Sequence, residues 1–157
     1  MPAKRGFTLI EILVVLLIIG IISGAALLAF GDFGARRKAI VNAEQFIAYV
    51  KLVQQKSILE MTTHGIKIDP NGYGTLKYDN ENWQSLGNSN IFHWQAFPSS
   101  IKVNVFNVKS QGKYPAIIIS STGNMTPFKL TFGTNTEQVA ILLGQPNGEL
   151  TLQSAKP

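Results

Sequence analysis

Lys4-Arg5-Gly6-Phe7-Thr8-Leu9-Ile10-Glu11 runs directly into a segment from Ile12 to Gly31 that carries no charge. The reading of this stretch decides the fold. An apolar run of about 20 residues, rising 1.5 Å per residue as a helix, spans the roughly 30 Å hydrocarbon core of a bilayer. A secretory signal has a shorter apolar region, about 7–15 residues, followed by a small-x-small cleavage site. Here Ser23-Gly24-Ala25 only mimics such a site. Lys4 and Arg5 hold the amino terminus in the cytoplasm through the positive-inside bias and send the rest of the chain outward. Glu11 does not fit a plain anchor. An acidic side chain at the centre of a spanning helix costs about 2.5–3.5 kcal/mol, so such a residue reads as functional. Its place near the membrane edge lowers that cost and leaves solvation by lipid headgroups as an alternative.

Charge returns at Asp32, Arg36, Arg37 and Lys38, with Gly31 and Gly34 at the transition. Glycine weakens a helix by about 1 kcal/mol relative to alanine, so a bend or soft spot is expected there. The helical pattern then resumes. Ala39, Ala43, Phe46, Val50, Val53 and Ser57 recur at alternating spacings of four and three, and Ile40 and Ile47 widen the stripe. Lys38, Asn42, Gln45 and Lys56 fall opposite, as in an amphipathic helix laid against a sheet. The pattern predicts one nearly unbroken helix from about Phe7 to Glu60. Gly20 and Gly24 form a small-xxx-small pair within the apolar part, a spacing that permits close helix approach but is common in spanning helices.

From His64 the pattern becomes strands and turns. His64–Ile68, the turn Asp69-Pro70-Asn71-Gly72 and Tyr73–Tyr78 read as a hairpin. Asp79–Asn82 and Gly87–Asn90 bracket a loop anchored by Trp83 and Leu86. Ile101, Val103 and Val105 alternate with polar residues, Tyr114–Ser120 reads as a strand buried on both faces, and Ser121–Asn124 is a turn. Phe128, Leu130 and Phe132 alternate again, Val139–Leu143 is apolar, and Gln145–Gly148 turns into Glu149–Leu152. About seven strands after one long helix give an α+β class: a long N-terminal helix packed on an antiparallel β-sheet, or on two small sheets.

Composition excludes several chemistries. With no cysteine there are no disulfides, zinc thiolates or thiol nucleophiles. His64 and His93 are the only histidines, and neither begins a metal-ligand spacing. His93, between Phe92 and Trp94, reads as a loop residue packed with aromatics. No G-x-S-x-G elbow or phosphate loop occurs, so no catalytic residue, metal or cofactor is assigned. Nucleic-acid binding requires a basic surface that neutralises phosphates. No arginine follows Arg37, and Lys51, Lys56, Lys67, Lys77, Lys102, Lys109, Lys113, Lys129 and Lys156 are scattered, with Lys102, Lys109 and Lys113 as the one candidate patch.

Gly6-Phe7-Thr8-Leu9-Ile10-Glu11 resembles the processing signal of type IV pilins and type II secretion pseudopilins. The resemblance implies that a prepilin peptidase, which is also an N-methyltransferase, cuts between Gly6 and Phe7 and methylates Phe7. It implies that Glu11 pairs with the new terminal amine of its own or a neighbouring subunit, each charge offsetting part of the other's desolvation. Residues 1–6 would be the leader, 7–31 the transmembrane and filament-core helix, 32–60 the amphipathic helix and 61–157 a periplasmic β-rich domain. Loss of Lys4 and Arg5 would lower the formal charge from +5 to +3, so the high isoelectric point says little about partners. The roughly 120 residues after the anchor suffice for a modest core.

Further along, Ser121-Thr122-Gly123-Asn124-Met125-Thr126-Pro127-Phe128 and Gly148-Glu149-Leu150 resemble the H-type minor pseudopilins of type II secretion. The same domain occurs in minor pilins of type IV pili and DNA-uptake machinery. The calcium loop of clustered aspartates found in major pseudopilins has no counterpart, since Glu137 and Glu149 stand alone near the C-terminus. Glu11 also separates the chain from the tip subunit that lacks it. The implied partners are the peptidase, other major and minor pseudopilins, inner-membrane lipid and secreted exoproteins. The implied place is the inner membrane, crossed once, and the pseudopilus.

Overall fold

The computed structural model describes residues 7–86, 91–108 and 110–155, with side chains for all of these except 27–33. The expected leader, residues 1–6, the loop residues Gly87–Asn90, Lys109 and Lys156 lie outside the described residues. The chain divides into two compact units, one ending at Gly34 and the other beginning at Ala35.

Helix α1 spans Leu9–Leu59. It opens on Thr8, whose carbonyl accepts from Glu11 N at 3.1 Å and Ile12 N at 3.4 Å. Thr8 is therefore the N-cap, and Glu11 occupies the third helical position, the spacing of a capping box. The helical assignment continues through Gly31 and Gly34 without a break. The helix stops by local geometry. Met61 adopts φ 50°, Thr62 N donates to Ser57 O, and Met61 N donates to Ile58 O. This is a Schellman ending with methionine where glycine is usual.

Strands β1 (His64–Asp69), β2 (Gly72–Asp79), β3 (Asn82–Ser85), β4 (Gln95–Ala96) and β6 (Ile117–Ile119) build one antiparallel sheet in the order β3-β2-β1-β6, with β4 also on β2. Strands β5 (Lys102–Phe106), β7 (Phe128–Gly133), β8 (Gln138–Gly144) and β9 (Leu150–Ser154) build a second, in the order β5-β7-β8-β9. The described residues thus hold nine strands rather than about seven. The region around Trp83, expected as loop, pairs as β3, with Tyr78 opposite Trp83. The Asn80 and Glu81 backbones turn at φ 47° and 62° to permit it.

The stripe predicted on α1 is the core face. Ala39, Ala43, Phe46, Val50, Val53 and Ser57 are all fully buried. Phe46 touches both sheets: its ring stands edge-on to Tyr73 of the first at 4.9 Å and to Phe128 of the second at 6.4 Å. Burying such a side chain contributes roughly 1.5–3 kcal/mol. Two expectations need correction. Ile47 packs against the core, but Ile40 is exposed, because it lies beyond the arc that the sheets cover. The strand expected over Tyr114–Ser120 shrinks to three residues, and Ile118 in its middle is 41% exposed. Successive side chains of a strand point to opposite faces, and here only the face of Ile117 and Ile119 meets the core.

Candidate functional site

The amino-terminal unit has the physical character of a segment made for apolar surroundings. Leu9–Ala26 has a mean hydropathy of 2.7, and none of it is buried within the chain. It is the one helix among the described residues long and apolar enough to cross a membrane. Phe7 is 78% exposed, and Glu11 stands exposed in the first helical turn. A carboxylate there interacts favourably with the helix macrodipole, whose positive end faces it. Gly6, the expected cleavage position, lies outside the described residues. A Cβ at Gly20 or Gly24 would meet nothing within 4 Å.

In the β-rich unit, the turns quoted from the sequence come together. Gly123 and Gly148 both adopt left-handed backbone angles, φ 86° and 87°. Met125 N donates to Pro146 O at 3.0 Å, joining the two turns. From the helix, Gln54 Nε2 donates to Gly123 O at 2.8 Å and lies 3.5 Å from Gly148 O. A Cβ on Gly148 would collide with the Gln54 amide and the Gly123 carbonyl. Gln54 falls on no apolar stripe, and sequence reasoning passed over it.

A second polar cluster closes the last helical turn. His64 is fully buried at the start of β1, with Nδ1 3.1 Å from Ser57 Oγ and 3.2 Å from Thr62 O. Ser57 Oγ donates to Val53 O, which leaves Nδ1–H as the donor toward Thr62. Nε2 then carries a lone pair, has no hydrogen-bond partner, and lies 3.5 Å from the Glu60 carboxylate. Burial holds the His64 pKa below its usual value, opposed by the Glu60 charge. Glu60 is held below the usual carboxylate range first by its hydrogen bond from Lys56. Lys77 approaches the same carboxylate at 3.9 Å.

Tyr49 was missed as well. Its hydroxyl lies 2.7 Å from Thr75 Oγ1 and donates to Phe92 O at 3.3 Å, and burial pushes its pKa up to about 12. It thereby ties the loop carrying Phe92 to β2. His93 is exposed in that loop. Lys102 and Lys113 line two different cavities, and Lys109, the third lysine of the expected patch, lies outside the described residues. Among the described residues, no group of three or more His, Asp or Glu side chains is placed to hold a metal.

Residues 1–27 match the family model described as the prokaryotic N-terminal methylation motif. Along the chain, similarity extends to the type II secretion system protein H of Pseudomonas aeruginosa, 27% identical over 143 residues and covering 83% of each chain. A fimbrial protein of Pseudomonas aeruginosa is 37% identical over 60 residues, 38% of each chain. The fold is that of the minor pseudopilin EpsH from the type 2 secretion system of Vibrio cholerae, with a TM-score of 0.63 at 22% identity, covering 74% of this chain and 97% of that one. An apolar helix that continues into a two-sheet β domain, behind a methylation motif, defines the pilin-like class. Within that class, the likeness that spans most of the chain is to type II secretion system protein H.

Proposed function

We propose that this chain is a structural subunit at or near the tip of a type II secretion pseudopilus, supporting export of folded proteins across the outer membrane. In this reading it sits in the inner membrane by residues 7–31, with residues 61–157 in the periplasm. A prepilin peptidase cuts between Gly6 and Phe7 and methylates Phe7. Glu11 then pairs with a terminal amine and sets the register against the neighbouring subunit. The chain is the substrate of those two steps and itself catalyses nothing.

The observation that carries the proposal is the extent of the likeness. Similarity to protein H runs over 83% of the chain, whereas similarity to the fimbrial protein stops at 38%. The exposed apolar surface of Leu9–Ala26 supports a helix that exchanges lipid for neighbouring helices on assembly. The second reading is a minor type IV pilin serving pilus assembly or DNA uptake, and it draws on the fimbrial match.

The deciding experiment is the activity of secreted hydrolases in medium from a strain lacking only this chain, beside a complemented control. Enzymes trapped in the periplasm support the secretion reading. Normal secretion together with lost pili or DNA uptake overturns it in favour of the second.

A further inference from the structure

A cavity of about 510 Å³ is bordered by two short segments of the β-rich unit, Glu81–Gln84 and Gln111–Tyr114. That volume falls within the roughly 300–1,000 Å³ of small-molecule sites.

Backbone geometry fixes both segments. Asn80 and Glu81 turn at positive φ, which sets the two-residue hairpin into β3. Gly112 turns at φ 57°, and Tyr114 N donates to Gln111 O at 2.9 Å. Trp83 is held by two sets of neighbours. Its ring centroid lies 5.1 Å from that of Tyr78, and it reaches the sheet at Gly65, where a Cβ would collide with both Trp83 and Pro115. The half-buried indole is thus a fixed wall, whereas Tyr114 is 67% exposed.

The polar groups at this cavity are mostly primary amides. No hydrogen bond engages the side chain of Gln84 or Gln111 among the described residues. Asn82 Nδ2 donates to Asn80 O at 3.0 Å, which leaves its Oδ1 without a partner among the described residues. A primary amide offers both donors and an acceptor. Glu81 and Lys113 form no ion pair among the described residues and bring one charge of each sign. Aromatic rings beside neutral amides, with no net charge, suit a ligand that is uncharged, rich in hydroxyls and apolar on its faces. A pyranose ring has that character, because C–H bonds cover its faces and hydroxyls, each donor and acceptor, surround its edge. An acidic polymer would call for a net positive surface, and an apolar peptide side chain would leave the amides unpaired.

We propose that this cavity binds an uncharged oligosaccharide, with sugar rings against Trp83 and Tyr114 and hydroxyls met by Asn82, Gln84 and Gln111. The proposal holds whichever filament the chain joins. The probes are chitotetraose and cellotetraose, titrated calorimetrically into the full chain in micelles of a detergent without a sugar headgroup. Saturable binding of one or both is expected, with a dissociation constant of about 1 mM or tighter. The tighter of the two distinguishes an acetamido glycan from a plain glucan. Tyr114→Ala should weaken binding about fivefold or more, and Gln111→Ala should weaken it as well. Both side chains are exposed, so the urea midpoint of each variant should stay at the wild-type value. Three results overturn the proposal. The first is that neither sugar binds up to about 10 mM. The second is that Tyr114→Ala and Gln111→Ala bind as wild type does. The third is that a valine-threonine peptide protects the β3 amides from hydrogen exchange while both sugars leave them unchanged, which would assign the cavity to a protein strand.

Discussion

Gln54 Nε2 donates to the carbonyl oxygen of Gly123 at 2.8 Å, joining a helix to a turn 69 residues away in sequence. The same amide nitrogen lies 3.5 Å from the Gly148 carbonyl. A single side chain of α1 thus fixes both glycine turns that carry the H-type resemblance. Replacing Gln54 with leucine leaves the Gly123 carbonyl without this donor, and should lower stability by about 1–3 kcal/mol. Gly148→Ala should cost at least as much, because its φ of 87° and the adjoining Gln54 amide both oppose a Cβ. Urea unfolding followed by the fluorescence of Trp83 and Trp94 measures both variants. Wild-type midpoints would show that the turns hold themselves.

The left-handed Met61 predicts a gain. A non-glycine residue in this conformation carries a strain of about 1 kcal/mol, and the Met61 side chain is 86% exposed, so little packing is lost with it. Met61→Gly should therefore raise the unfolding midpoint, by up to about 1 kcal/mol in free energy. A lower midpoint would mean that the methionine contacts something in the folded state.

His64 gives the stability a pH dependence. Its folded pKa lies below the ordinary value of 6.5 because burial disfavours the cation. In acid the unfolded chain takes up this proton first, so stability is full above about 6.5 and falls as pH drops through and below it. Glu60, also held low, adds a further loss at more acid pH as its carboxylate protonates. Urea midpoints measured from pH 8 to pH 5 should decline in wild type and flatten in His64→Gln over the upper part of that range. Equal slopes would assign the decline to other groups.

If Glu11 pairs with a terminal amine as proposed, Glu11→Ala should leave processing intact and impair co-assembly with pseudopilin subunits. Cross-linking in membranes reads assembly, and the gel shift on cleavage reads processing. A variant that co-assembles and supports secretion like wild type would remove the pairing role from Glu11.

Gly6→Val should block cleavage, because the resemblance places the peptidase cut directly after this residue. The band should stay at the precursor position, and mass spectrometry should find no methylated Phe7. Normal maturation would refute the assignment of the cleavage site.

Much of this architecture is legible in local sequence, because its signals are local. Uncharged length marks the segment from Ile12 to Gly31, the three-four spacing from Ala39 to Ser57 marks the core face of the helix, and Asp69-Pro70-Asn71-Gly72 and Gln145-Pro146-Asn147-Gly148 mark turns by their own backbone preferences. The motif from Gly6 to Glu11 is likewise contiguous, since the enzymes implied for it would act on a linear stretch.

Tertiary structure decided what depends on neighbours distant in sequence. Whether Ile118 is buried is set by which face of β6 meets the core, not by the run of three isoleucines. Which polar residue matters is set by what it faces: Gln54 reads as an ordinary helix-surface residue until Gly123 and Gly148 arrive beside it. His64 reads as an isolated histidine until the end of α1 folds Ser57 and Glu60 over it. The order of the strands in each sheet is decided the same way, because pairing across a sheet joins residues whose separation along the chain no local preference encodes.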